Sequence, residues 1–327
     1  MKKMIQKLVL FCAALVVLVP VAQAAYPEKP INLVVGFGVG GSADRMTRSV
    51  SSFLSDKLDQ AVRVVNKKGA GTMLAANYVL KAPADGYTVF ASTFAPYMSN
   101  TIIHGGAKYK IDDFAFINAQ WFDFDLIATN KDKPYKSLTE LLTAIKEKPG
   151  KISAAVVQGS AGHLMVKLLL KNNNIPDKNL NLVTYNSGGK ARSAVAGGQV
   201  DFIAISAEGC EGIREFLNPL AVVLDEPSKS WDAPVVNEAL KPLGTTVPVL
   251  PGSIRGFAVK AEVKEKYPER FNKLVAAFEE LLSDKGVKKF LRGNKIGAEF
   301  TGPEKTQQLM QENFEVFNEY KGLMVKK

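Results

Sequence analysis

Short apolar runs, glycine-bearing turns and amphipathic stretches follow one another along this chain in a repeating order. Ile31 to Val35 is a short apolar run of strand length, and Gly36 to Gly41 is a glycine-rich turn. From Ser42 onward, Met46, Val50, Phe53, Leu54 and Leu58 recur at helical spacing, so the pattern predicts an amphipathic helix there. Ala61 to Val65 reads as a second strand. Asn66 to Gly71 is a loop, and a helix is expected from about Thr72 to Lys81. Asp85-Gly86 marks a turn before a third strand at Tyr87 to Ala91. Strands alternating with helices predict parallel sheets joined by crossover helices.

The second half repeats the scheme. Ser137-Leu138-Thr139-Glu140 has the spacing of a capping box, and the helix it opens should end before Pro149-Gly150. Lys151 to Val157 reads as a strand, Gln158 to Gly162 as a turn and His163 to Lys171 as a helix. Leu180 to Tyr185 is the next strand and Asn186 to Gly189 its turn. Lys190 to Ala196 is a short helix ended by Gly197-Gly198, and Val200 to Ile205 a further strand. Towards the C-terminus, Phe271, Leu274, Val275, Phe278, Leu281 and Leu282 form one helical face. Pro303 opens a helix carrying Leu309, Met310, Phe314 and Phe317.

The first residues change the picture. Lys2, Lys3 and Lys7 precede an apolar stretch from Leu8 to Val21, and Ala22-Gln23-Ala24 offers a small-x-small cleavage site. This is the layout of a secretory signal, with the mature chain starting at Ala25. The stretch is shorter than the ~20 apolar residues of a spanning helix, and Pro20 interrupts it. Cys12 falls in the removed segment, where the bulky Phe11 argues against a lipid-attachment site, so Cys210 is the only mature cysteine. With His104 and His163 the only histidines, a zinc or copper site of Cys and His is not expected. Cleavage removes three lysines and no acid, lowering the formal charge from +10 to +7. The basic residues are scattered and not interleaved with aromatics, which speaks against nucleic acid and is compatible with attraction of small anions. The mature length suits two α/β domains.

Gly36-Phe37-Gly38-Val39-Gly40-Gly41 satisfies G-x-G-x-x-G between a strand and a helix, the dinucleotide fingerprint in its usual context. The second strand, however, ends in Asn66-Lys67-Lys68 and not in the acid that would hold a ribose, and an exported protein is a poor host for a loosely held nicotinamide cofactor. Such a turn binds any compact anion, because bare glycines let backbone N–H groups approach a ligand. The next helix adds roughly half a positive charge at its N-terminus. Gly69 to Gly71, Gln158 to Gly162 and Asn186 to Gly189 repeat this chemistry between a strand and a helix. In open α/β sheets such turns line the crevice at the carboxyl ends of the strands.

An exported serine hydrolase and an NAD(P)-binding oxidoreductase are the alternative readings. Ser160 in Gly159-Ser160-Ala161-Gly162 is superficially like a nucleophile elbow, but position 158 is Gln where the elbow has glycine. His163 lies on the same helix start, where a capping or packing role is the simpler reading. Asp44 reads as a first-turn carboxylate favoured by the helix dipole, and Asp112 and Asp113 as turn residues.

The order of motifs resembles that of the substrate-binding receptors of tripartite tricarboxylate transporters, the Bug receptors, over nearly the whole mature length. Tyr26 to Ile31 resembles Y-P-x-K-P-I, Val34 to Asp44 the V-V-P-F-x-P-G-G-x-x-D loop, and Asn66 to Gly71 N-x-x-G-A-G. Pro83 to Thr88 resembles P-D-G-Y-T, and Gly159-Ser160 with His163-Leu164 G-S-x-x-H-L. Tyr185, Gly188 and Gly197 to Asp201 resemble P-Y-x-G…G-G-Q-V-D, and Ile254-Arg255-Gly256 the late W-R-G.

The resemblance implies an α/β, two-domain periplasmic-binding-protein fold, type II-like, with a ligand cleft between domains. Domain 1 would take residues 25–124 and 252–327, and domain 2 residues 125–251, after a signal peptide at 1–24. It implies a monomeric periplasmic receptor for a small organic anion, a di- or tricarboxylate, aromatic acid or acidic amino acid. The receptor would deliver it to an integral-membrane permease, without catalysis, cofactor or metal. The implied ligand contacts are Phe37, Gly38, Val39, Gly40 and Gly41 in the first loop, and Ser92, Thr93 and Phe94 in a loop after the third strand. In the second domain they are Gly159, Ser160, Gly162, Ser187, Gly188 and Asp201. The family's first-loop prolines stand here as Gly36 and Val39, beside Gly38, which implies a more mobile loop. Trp121, Phe122 and Phe124 cluster near the expected interdomain crossing, where hinge packing is the simpler reading and stacking of an aromatic acid the alternative. Asp123 and Asp125 would repel a carboxylate, so at least one is expected to face away.

Overall fold

A computed structural model describes residues 26–324; the secretory segment read at 1–24 lies outside them. The strands are β1 (Ile31–Val35), β2 (Val62–Asn66), β3 (Thr88–Ala95), β4 (Phe114–Phe122), β5 (Asp125–Asn130), β6 (Ile152–Val157), β7 (Leu180–Tyr185), β8 (Phe202–Ser206), β9 (Leu217–Val222) and β10 (Ile254–Lys260). The α-helices are α1 (Ser42–Leu58), α2 (Met73–Lys81), α3 (Tyr97–Ile103), α4 (Leu138–Glu147), α5 (Ala161–Asn172), α6 (Gly188–Ala196), α7 (Val236–Leu240), α8 (Ala261–Lys266), α9 (Pro268–Ser283), α10 (Lys285–Gly293) and α11 (Pro303–Glu319).

Two five-stranded sheets result, ordered β2-β1-β3-β10-β4 and β7-β6-β8-β5-β9. In each, three parallel strands are followed by one antiparallel strand. The purely parallel sheets expected from the alternation are therefore mixed. The inserted strands β10 and β5 pair with partners distant in sequence, so local periodicity could not place them. Helices cover both faces of each sheet. Met46, Val50 and Leu54 of α1 join Phe271, Leu274 and Phe278 of α9 on one face of the first. Leu141 and Ile145 of α4 join Leu164 and Leu168 of α5 on one face of the second.

The sheets are connected where β4 passes into β5 and where the chain returns to β10. Here Asp123 N–H donates to Ser253 O at 3.1 Å, and the hydroxyls of Ser206 and Ser253 lie 2.9 Å apart. Gly252 is required at this crossing, because a side chain there would overlap the Asp123 carbonyl. Helix α11 makes a third link. Met310 is buried against the first sheet, while Phe317, further along the same helix, is buried in the core of the second.

The capping box at Ser137 forms with a shift. Ser137 Oγ accepts from Glu140 N–H at 3.1 Å, but Glu140 Oε2 accepts from Lys136 N–H at 2.7 Å, one residue before the cap. Ser137→Ala should cost about 1 kcal/mol in urea unfolding. An unchanged midpoint would show that water replaces the cap.

Candidate functional site

The parallel strands of both sheets point their carboxyl ends at the crossing, and the turns that follow them define the site. Gly36 must be glycine, since a side chain would overlap Thr72 Oγ1. Gly38 and Gly41 are half-buried, whereas Val39 is 76% exposed. The loop is braced from beneath. Asn66 Nδ2 donates to Phe37 O at 3.1 Å and to Asp44 Oδ1 at 2.8 Å, and Arg48 Nε donates to Asp44 at 3.0 Å. Gly40, at φ +79°, donates its N–H to Asp44 Oδ2 at 2.9 Å. Burial pushes the Asp44 carboxyl up, but the bonds from Arg48, Gly40 and Asn66 outweigh it and hold it below the usual range. The Gly40 amide is thus already engaged, and the first-turn amides of α1, which have no intrahelical acceptor, are the donors left to an anion. Asn66, at the place a ribose-binding acid would occupy, is committed to bracing the loop, which removes the support for a dinucleotide.

Ser92, Thr93 and Phe94 belong to β3 and not to a loop, because pairing with β10 carries the strand on to Ala95. Ser92 Oγ lies 2.8 Å from Thr72 Oγ1, and Thr93 stands opposite Arg255. Phe94 turns into the core, 5.3 Å from the Phe90 ring and 5.1 Å from Phe116. Strand alternation places its side chain away from the cleft.

In the second domain, Gly159 at φ +74° lies directly against Asn100 of α3, so the two domains touch at this turn. Ser160 caps α5, its Oγ accepting from His163 N–H at 3.1 Å, while Gly159 N–H donates to His163 Nδ1 at 3.3 Å. Burial, helped by Lys167, pulls the His163 imidazole down to about 4, so it is neutral at pH 7. The pair is a helix start, with the serine oxygen serving the backbone and not the imidazole. Gly162 is a packing residue: a side chain there would overlap the Ala204 carbonyl of β8. Ser187 is the exposed N-cap of α6, and Gly188 gives room to the Arg192 guanidinium.

Asp201 is not brought to this end. It precedes β8 and accepts from Ser153 N–H at 2.8 Å, from Ser153 Oγ at 2.7 Å and from Lys133 Nζ at 2.8 Å. Those partners lie at the amino ends of the parallel strands, a full strand length from Gly159. Burial raises its pKa, but Lys133 and Ser153 outweigh this and hold it low. Its role is to tie β6 to β8.

Of the charged residues at the crossing, sequence reasoning named Asp123, Asp125 and, within a motif, Arg255, but not Glu208 or Arg192. Arg255 is buried on β10. Its Nε donates to Ser42 Oγ at 2.8 Å, its Nη2 lies 3.4 Å from Asp123 Oδ2, and its Cζ sits 4.5 Å over the Trp121 ring. Trp121 Nε1 donates to Glu208, whose own N–H donates to Asp123 Oδ1 at 3.3 Å. Trp121 therefore works in hinge packing, Phe124 packs on the second domain, and Phe122 is 38% exposed. Asp123 and Asp125 are both buried. Asp123 is raised by burial, partly offset by Arg255. Asp125 is pushed up to about 7 by burial and by Asp123. The Tyr97 ring of α3 stacks edge-on against Phe37 at 5.1 Å and packs on the core of the second domain. The W-R-G-like motif carried a signal for Arg255; Arg192, in a polar helix, carried none.

Among the described residues no helix is long and apolar enough to cross a membrane, and no group of three or more His, Cys, Asp and Glu could hold a metal ion. The family model for tripartite tricarboxylate transporter family receptors matches residues 46–319. The protein BugT of Bordetella pertussis is 30% identical over 241 residues, covering 71% of this chain and 72% of BugT. MatC from Rhodopseudomonas palustris with bound malate superposes with a TM-score of 0.75 at 22% identity, covering 92% of this chain and 100% of that one. A second R. palustris protein, solved with adipate, also gives 0.75 at 22% identity, covering 92% and 98%. These two structures show the shared fold. With a two-domain architecture, cleft-lining helix starts and a family match over most of its length, this chain belongs to the tripartite tricarboxylate transporter receptor family.

Proposed function

We propose that this receptor is exported to the periplasm, closes its two domains over one small organic carboxylate and hands it to a membrane permease as a monomer, performing no chemistry itself. The observation that carries the reading is that the Arg255 guanidinium bonds Ser42 at the start of α1, while from the other domain the turn before α5 touches α3 and the start of α6 makes room for Arg192. Helix starts and arginine both favour anions, and the two sets of donors come from opposite domains. The proposed domains are 25–124 with 252–327, and 125–251. Malate and adipate, bound by structural neighbours, set the size range to try first.

A thermal-shift screen of malate, adipate, citrate, benzoate and glutamate tests this. A bound acid at a hundredfold excess over Kd should stabilise the protein by about 2.7 kcal/mol. A shift with NAD and with none of the acids would sink the reading. Export is checked by N-terminal sequencing of the periplasmic form, which should begin at Ala25.

A further inference from the structure

Asp123 and Glu208 have hydrogen-bond partners at the crossing, whereas Arg255 is only partly engaged and the Arg192 side chain is bonded to nothing among the described residues. Arg255 is 4% exposed, and its Nη1 is buried without a hydrogen-bond partner among the described residues, although Nε and Nη2 are engaged. Arg192, on α6 of the other domain, lies against Gly188 and against Gly209. An ideal side-chain carbon on those residues would come within 2.8 Å and 2.5 Å of its Nη1. Both glycines make room for the guanidinium, yet the Arg192 side chain makes no hydrogen bond or ion pair among the described residues. Burial lowers its pKa; Cys210 and Asp123 act in the opposite direction, while the Arg255 and Arg45 charges add to the lowering.

The contacts linking the two arginines are short. Gly209 follows Glu208, Glu208 takes Trp121 Nε1 and donates its N–H to Asp123, and the Trp121 ring lies under Arg255. Arg45, the remaining cation beside Trp121, instead donates to Asn294 O and Lys295 O at 3.2 Å.

We infer that Arg192 and Arg255, one from each domain, grip a single carboxylate of the ligand between them, so that the shared anion makes closure of the domains favourable. The inference rests on the receptor reading above. A guanidinium presents paired N–H groups that match a carboxylate, and an unpaired buried donor carries a cost that such an acceptor removes. Two like charges brought together by closure would repel, and an anion between them turns that repulsion into attraction. Asp125, buried and with its pKa raised to about 7, has no bond to either arginine and is a poor source of that anion. Asp123 meets Arg255 through Nη2 alone.

Calorimetric titration of wild type, Arg192→Gln and Arg192→Lys with malate and adipate, together with melting of each protein without ligand, tests this. Arg192→Gln should melt no lower than wild type without ligand and bind about tenfold or more weakly, the effect of losing a charged hydrogen bond. Arg192→Lys should fall between, keeping the charge but not the fork. Binding by Arg192→Gln within about twofold of wild type would overturn the inference and leave the receptor reading standing. So would a clearly lower melting point without ligand, because Arg192 would then serve the fold. A wild type that takes up neither these acids nor any in the wider screen would fail at the receptor reading itself, and the inference with it.

Discussion

Asp125→Asn should be more stable than wild type at pH 8, by on the order of 4 kcal/mol, and indistinguishable from it at pH 4. Asp125 opens β5 at the crossing and is 4% exposed. Burial first, and the Asp123 carboxylate second, raise its pKa from 3.8 to about 7, with Arg255 offsetting part of this. A carboxyl whose folded pKa lies above its unfolded value holds its proton longer in the folded state. The unfolded chain ionises first as pH rises, so stability falls between about pH 4 and pH 7 and stays low above that. Asparagine keeps the shape and cannot ionise, so it removes the loss. Urea unfolding of both proteins from pH 4 to pH 8 measures it. Equal stability at pH 8 would mean that the ionised carboxylate finds a partner that repays its burial.

Gly162→Ala should destabilise the fold by roughly 1–3 kcal/mol, against the usual direction for a helical glycine. Alanine in a helix is normally favoured over glycine by about 1 kcal/mol. Here the added carbon would overlap the Ala204 carbonyl, where α5 lies directly on β8. Backbone cannot yield as a side chain can, so helix and strand must separate and the packing loss wins. Gly189→Ala in α6 is the matched control: nothing lies within 4 Å of the added carbon, and the change should be neutral or stabilising. If both changes stabilise, α5 has room to move and Gly162 returns as a candidate ligand contact.

The contrast among glycines shows what could be read in advance. The turns after β1, β6 and β7 were visible as local patterns, because a strand end, a glycine and a helix start are neighbours in the chain. What each glycine is for was not visible. Gly36 accommodates Thr72, Gly162 accommodates Ala204, and Gly188 accommodates Arg192. Only Gly188 thereby leads to a charged group at the crossing. Asp201 shows the same limit: its place in a family-like motif suggested a ligand contact, but a strand has two ends, and its partners Ser153 and Lys133 put it at the far one.

The sequence by itself determined the local order of strands, turns and helices, their capping signals, and a motif order resembling one receptor family, since these depend on residues a few positions apart. The tertiary structure alone decided that β10 and β5 enter the sheets antiparallel, that Phe94 faces the core, that Arg255 pairs with the buried Asp123, and that Arg192 packs against Gly188 and Gly209. Strand pairing and charge proximity join residues tens to hundreds of positions apart. Their energies depend on burial and distance, which no local pattern carries.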